Sequence, residues 1–304
     1  MNRLRGLPAQ LFVFTILPLT VLLAVIAFGG LSLHQRAMRQ MVAERDERAA
    51  RASAAALEEQ LVGRAAAVAN LALHAAHVPP AVALTDSASF SDDFIDLAIF
   101  NARGQIEAAG DPAWWVGFET DSEADTALIE TDNDGVRYSL HIPHSGGGSP
   151  ILIVTAPIAG GGTAAGALDP VAIARDVLAR VVRPGDHTVA YLIAPDGTLL
   201  YQAGDGAAGA AGVHDGPGVA DALRGEIGTT FLNVGGLSLA GDDHVISFTP
   251  VAPLGWGLVM EEAWQEMADP MLRRTELAPF ILLPALAVAL AGLWFGARQI
   301  VRPL

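Results

Sequence analysis

Between Leu277 and Ala297 no residue carries a charge, and Glu276 and Arg298 bound the run. As a helix rising about 1.5 Å per residue it would span roughly 30 Å, the thickness of a bilayer's hydrocarbon core. A helix of a soluble core rarely stays apolar on every face for that length. Leu11 to Leu33 is a second uncharged run, interrupted only by Pro18 and the Gly29-Gly30 pair. Residues 11–33 and 277–297 are therefore expected to be transmembrane helices, with residues 34–276 held between them. Cleavage of the first run as a signal peptide is the competing expectation, because Met1-Asn2-Arg3-Leu4-Arg5 is a basic start and Ala24-Val25-Ile26-Ala27 mimics a cleavage site. The length favours retention, since signal cores usually run to about 7–15 residues.

Charge placement gives an orientation. All 33 acidic residues lie between Glu44 and Glu276, whereas Arg3, Arg5, Arg298 and Arg302 flank the two runs. Basic ends around an acidic middle obey the positive-inside rule with both termini cytoplasmic, residues 1–10 included, in a multi-pass protein of the cell's inner (plasma) membrane. The net charge of −15 repels a phosphate backbone and sets nucleic-acid binding aside. Cysteine is absent, which excludes disulfides, zinc–cysteine sites and thiol catalysis.

From Leu33 to His77 there is no proline and one glycine, Gly63. Leu57, Leu61, Arg64, Val68, Leu71 and Ala75 recur at helical spacing, which predicts a long helix over 34–78 that Val78-Pro79-Pro80 ends. Nearer the membrane the stripe is Met38, Val42, Arg45, Ala49, Ala52 and Ala56, small enough to be a homodimer seam. Strands and turns follow. Ile95 to Phe100 leads through Asn101-Ala102-Arg103-Gly104 into Gln105 to Ala108, a hairpin by its turn chemistry. An acidic, aromatic loop fills 111–130, and strands are expected over 136–142, 151–158 and 163–168. Pro170 opens a helix at its first turn. Pro184-Gly185-Asp186 then separates a second unit, in which 188–193 and 198–201 repeat the hairpin around Ala194-Pro195-Asp196-Gly197. A short helix near 219–223, strands over 229–234, 244–250 and 256–261, and an exit helix over 264–276 complete it. The architecture repeats more clearly than the residues do.

The order of these elements resembles the double Cache sensor module of bacterial transmembrane receptors, two PAS-like units in series. The carrying residues are Ala190 to Leu200 in the second unit, Thr249-Pro250-Val251, Leu254 to Glu261, and Gly166-Ala167-Leu168-Asp169 in the first. Ile300-Val301-Arg302-Pro303-Leu304 is similar to the start of a HAMP linker, so 298–304 is expected to lead into an output domain. The resemblance implies an α+β fold: two PAS-like antiparallel-sheet units on a long N-terminal helix, flanked by two transmembrane helices. The membrane-distal unit would be 79–183 and the membrane-proximal unit 184–263. It also implies that a small molecule binds in the distal unit, beside the loop after its first hairpin. That places Trp114, Trp115 and Phe118 at the ligand, with Tyr138 and Asp169 as polar partners and Tyr138 preferred over Arg137 on strand alternation. The amine-recognising subgroup has an arginine two residues before a Trp-Tyr pair. Here Pro112 and Trp115 stand at those positions, so no amino-acid assignment follows.

Other chemistry reads blandly. Gly160 to Gly166 has no lysine and opens no helix, so it is a turn and not a phosphate loop. Asp132-Asn133-Asp134-Gly135 falls short of a calcium loop. The pairs His74/His77 and His141/His144 lack a third metal ligand. Adjacent Glu261 and Glu262 on a strand face opposite ways. No catalytic set, metal or cofactor is expected. The reading is extracytoplasmic small-molecule sensing and transmembrane signalling, as the input of a sensor histidine kinase of a two-component system. A chemoreceptor or diguanylate cyclase input is the alternative, and an anchored binding module or anchored hydrolase the rival class.

Overall fold

The computed structural model describes residues 17–119, 126–130, 135–141, 149–182, 188–204, 216–233, 243–263, 284, 286–292 and 294–295. One compact unit is Arg45–Ala263; the other combines Met1–Glu44 with Trp264–Leu304. Among the described residues no helix is long and apolar enough to cross a membrane. The runs 11–33 and 277–297 lie partly outside the described residues, and the expected exit helix 264–276 and the tail 298–304 lie wholly outside.

Helix α1 (Leu17–Ala75) matches the long helix expected over 34–78 except for its last three residues, and reaches back into the first uncharged run. It stops before Pro79-Pro80, whose rings cannot donate to the helix ladder. In the unit Arg45–Ala263 its buried face includes Ala50, Ala54, Leu57, Leu61, Ala65, Val68 and Leu71. Each leucine buried there contributes roughly 1.5–3 kcal/mol. The small-residue stripe does not coincide with this face, since Ala49 is half-buried and Ala52 exposed.

Short helices α2 (Pro80–Asp86) and α3 (Ala88–Ser91) lead into the first sheet. Its elements are β1 (Asp96–Phe100), β2 (Ile106–Ala109), helix α4 (Pro112–Glu119), β3 (Thr126–Glu130), β4 (Arg137–His141), β5 (Ile151–Pro157) and β6 (Thr163–Leu168). Helix α5 (Pro170–Leu178) follows. The second sheet comprises β7 (Thr188–Ile193), β8 (Leu199–Ala203), helix α6 (Val219–Leu223), β9 (Gly228–Asn233), β10 (Asp243–Val251) and β11 (Trp256–Ala263). The sheet orders are β2-β1-β6-β5-β4-β3 and β8-β7-β11-β10-β9. In both, the last strand lies antiparallel beside the first, and the opening hairpin forms one edge.

The two opening hairpins match in detail. The Asn101 N–H donates to the Gln105 carbonyl and the Gly104 N–H to the Asn101 carbonyl, while Ala194, Thr198 and Gly197 repeat both bonds. Gly104 and Gly197 have φ of 77° and 88°, the left-handed turn position where glycine has no Cβ penalty.

Both sheets turn one face to α1. Leu97, Ile99, Leu140 and Leu152 of the first, with Leu192, Trp256 and Leu258 of the second, join Leu57 and Leu61 in one core. The opposite faces carry separate clusters, one around Trp115 and one around Tyr191. Helix α4 and strand β3 stand where a loop was expected over 111–130. Asp111 explains the helix: its Oδ1 accepts the N–H groups of Ala113 and Trp114 at 2.9 and 3.3 Å. Pro112 fits the first turn, where its missing N–H costs nothing.

Candidate functional site

Trp115 comes off the first turns of α4 onto the sheet face that looks away from α1. It is 3% exposed and packs with Ala98, Ile153, Ala165 and Ala167. Three alanines keep this floor low, so a bulky ring can lie on it. Phe100 and Trp114 meet the Trp115 ring edge-on, with centroids 5.5 and 4.8 Å away; such T-shaped pairs add about 0.5–1.5 kcal/mol beyond burial. The indole Nε1–H donates to Asp96 Oδ2 at 2.7 Å, and the Asp111 N–H donates to the same oxygen at 2.9 Å. Asp96 thus latches α4 to the first residue of β1.

Strand register carries this face across the sheet. Asp96 pairs with Ala167, Ala167 with Ile153, Ile153 with Ser139, and Ser139 with Leu128. The neighbouring rows bring Thr155 with Arg137 and Ile151 with His141. Since alternate residues share a face, Arg137, Ser139 and His141 look the same way as Trp115. Ser139 Oγ lies 3.3 Å from His141 Nε2. The site is therefore an apolar floor with an indole wall at one side and a serine, a histidine and an arginine toward the other.

The expected site residues divide. Trp114 and Trp115 come together; the side chain of Phe118 lies outside the described residues. Tyr138 does not join them. It pairs with Val154 and is buried in the α1-facing core, on the other side of the sheet. Its alternation with Leu140 was legible, but the face was not, because both faces of the sheet are covered. Asp169 is taken up locally: its Oδ1 accepts the N–H groups of Val171 and Ala172 at 2.8 and 3.1 Å, capping α5. Asp96 and Ser139 were not singled out from the sequence, and His141 was weighed there only as a metal ligand. Asp96 had a signal in hindsight, a carboxylate at the head of an otherwise apolar strand.

A groove of about 750 Å³ adjoins the latch, lined by Thr85, Ser87, Ser91, Asp92, Asp96 and Gly110 among others. His74 Nε2 lies 2.9 Å from Asp86 Oδ2, and among the described residues no group of three His, Asp or Glu could hold a metal.

No family model matches the chain, and neither does any curated protein. Solved structures do. The ligand-binding domain of the Pseudomonas aeruginosa PAO1 amino acid chemoreceptor PctB, in complex with L-Gln, is 17% identical with a TM-score of 0.44, over 77% of this chain and 95% of that one. That of the Campylobacter jejuni chemoreceptor Tlp3, in complex with L-valine, is 9% identical with a TM-score of 0.49, over 77% and 97%. The extracellular domain of mmHK1S-Z2, a provisionally assigned histidine kinase, is 12% identical with a TM-score of 0.49, over 74% and 98%. At these identities and scores the likeness carries no argument about ligand or activity.

Proposed function

We propose that the chain is the extracytoplasmic sensing part of a transmembrane signal transducer, with residues 34–276 outside and both ends in the cytoplasm. The observation that carries this reading is the repeated sheet order, last strand beside first, on one helix that begins in an uncharged run. That is the arrangement the double Cache resemblance implies, and the solved structures it is similar to point the same way without adding weight.

Exposure on α1 supports the membrane assignment. Leu19, Leu22, Val25, Ile26 and Leu33 are each more than half exposed, a costly display in water and a favourable one in lipid. The distal floor between Trp115 and Ser139 is the ligand site in this reading. Occupation there shifts the balance between two packings of the unit, and the segments bordering it carry the shift across the membrane to a histidine kinase, or to a chemoreceptor or diguanylate cyclase output. Two chains pair along the face of α1 that the core leaves free: Ala52, Ala55, Val62, Ala66 and Leu73 are exposed at spacings of three, seven, four and seven residues, one or two helical turns each.

The absence of cysteine makes a labelling test free of background. Single cysteines replacing exposed Arg103 and Glu226 should react with a membrane-impermeant maleimide on intact spheroplasts. Labelling that requires lysis would overturn the reading.

A further inference from the structure

The groove beside the Asp96 latch has a volume of about 750 Å³, within the usual range of about 300–1,000 Å³ for a small-molecule site. Its polar side chains are those of Thr85, Ser87, Ser91, Asp92 and Asp96, and Leu84, Phe94 and Leu97 are among the apolar ones.

The hydroxyls there have no proton left for a ligand. Thr85 Oγ1 donates to the Ala81 carbonyl at 2.8 Å, Ser87 Oγ to that of Leu84 at 2.6 Å, and Ser91 Oγ to that of Ala88 at 3.0 Å. A carbonyl only accepts, so each hydroxyl proton is committed and each oxygen keeps its lone pairs. Asp96 Oδ2 holds the Trp115 and Asp111 N–H groups, which leaves Oδ1 to the groove. Gly110 borders that oxygen, and a Cβ there would run into it. The Gly110 backbone lies outside the left-handed region, so this glycine makes room for a carboxylate and not for a turn.

Asp92 is a carboxylate without a match. Its neighbours are paired, Asp86 with His74 at 2.9 Å and Asp93 with Arg64 at 3.4 Å. Asp92 is exposed, and its carboxylate meets no cation among the described residues. No arginine lines the groove, and the chain has no lysine.

The side chains of the groove thus present acceptors, negative charge and hydrocarbon, and no donor. We propose that this groove is a second binding site, which takes a small organic cation with N–H donors and a short hydrocarbon body. A diamine matches its two carboxylates. An anion is repelled, and a divalent metal finds no group of three His, Asp or Glu among the described residues.

Asp96 borders both this groove and the distal floor, so the test keeps the two apart. The full chain in detergent micelles is titrated calorimetrically with 1,4-diaminobutane dihydrochloride, and with its fully N-methylated bis-quaternary analogue, which has no N–H donor. The diamine should bind and the quaternary salt should not. Asp92→Asn should weaken binding about tenfold, the loss of one charge-assisted hydrogen bond. Ala88→Leu, which fills the groove from an exposed position of α3, should remove it; circular dichroism checks the fold of both variants. Ser139→Ala, on the distal floor, should leave it unchanged. No heat at millimolar diamine, equal binding of the two salts, no effect of Asp92→Asn, loss through Ser139→Ala, or displacement by calcium at stoichiometric concentration would each overturn the proposal.

Discussion

Asp96 Oδ2 accepts hydrogen bonds from the Trp115 indole and from the Asp111 backbone, so one carboxylate oxygen at the start of β1 fixes the helix that roofs the distal floor. Removing it withdraws the acceptor from a buried donor, a change that typically costs about 1–3 kcal/mol. Asp96→Ala should lower the unfolding free energy of the full chain in urea by that amount and loosen Trp115, seen as a red shift of tryptophan emission. Asp96→Asn keeps an acceptor oxygen and should fall between. An Asp96→Ala chain as stable as the wild type would show that α4 is held by packing alone.

Gly166 is a second point where the distal sheet tolerates no change. A Cβ built there would lie 2.6 Å from Phe94 Cε1 and 2.9 Å from Val68 Cγ2, pressing β6 against both the β1 approach and α1. The backbone is ordinary, so the penalty is steric. Gly166→Ala should destabilise by about 1–3 kcal/mol, as overpacking does. Gly63→Ala, on an open stretch of α1 with nothing within 4 Å, should stabilise by about 0.5–1 kcal/mol through helix propensity. Thermal melts of the two variants should therefore move in opposite directions.

Asp46 gives a pH dependence. It is 7% exposed on α1, Oδ2 has no partner, and Arg45 bridges its Oδ1 to Glu262 of β11 at 3.1 and 3.0 Å. Burial raises its pKa above the ordinary 3.8, against the opposing pull of Arg45. The folded protein therefore holds this proton after the unfolded chain has released it. The stability it contributes is full below about 3.8 and is lost as pH rises through the folded pKa. Asp46→Asn removes that loss. The difference in unfolding free energy between Asp46→Asn and wild type should grow from acid toward neutral pH; a difference that stays flat or shrinks would place the carboxylate in water.

Much of this arrangement was legible because its signals are local. The proline-free stretch to His77, the paired Asx-Gly turns at Asn101 and Asp196, and alternation on β4 and β11 each report on a few neighbouring residues. Glu261 and Glu262 do part to opposite faces, one to His244 and one to Arg45. What failed was the step from face to partner. Tyr138 and Leu140 share a face, as alternation requires, but that face meets α1, and only tertiary packing decides this. Helix α4 was hidden because Asp111 and Pro112 read equally well as a turn. Asp169 looked like a ligand partner because a cap and a binding carboxylate are the same residue in sequence.

The proposed pairing keeps Ala52 of the stripe that the sequence suggested and leaves out Ala49 and Ala56, which are half-buried. Ala50 and Ala54 are buried within the chain, at 1% and 5% exposure, and cannot meet a second copy. Single cysteines at Ala52, Ala55, Val62 and Ala66 should cross-link in membranes under mild oxidation, while cysteines at Ala50 and Ala54 should not. Membrane tethering raises the effective concentration, so small residues suffice. Cross-linking without helical period would refute the seam.

The distal floor yields the sharpest distinction, because the two faces of one strand make opposite claims. If a small molecule lies between Trp115 and β4, Ser139 touches it and Tyr138 does not. A thermal-shift screen of the full chain against amino acids, small carboxylates and amines supplies the probe. A compound present at 100 times its Kd adds about 2.7 kcal/mol, a shift of about 5–10 °C for a domain of this size. Ser139→Ala and His141→Ala should cut that shift to half or less for the same compound. Tyr138→Phe should leave it intact although it lowers the baseline melting temperature, its hydroxyl belonging to the α1-facing core. Tyr191→Phe, in the second sheet, should change neither. A shift lost through Tyr138→Phe and kept through Ser139→Ala would put the ligand on the other face of the sheet, and the distal floor would then be no more than the seat of Trp115.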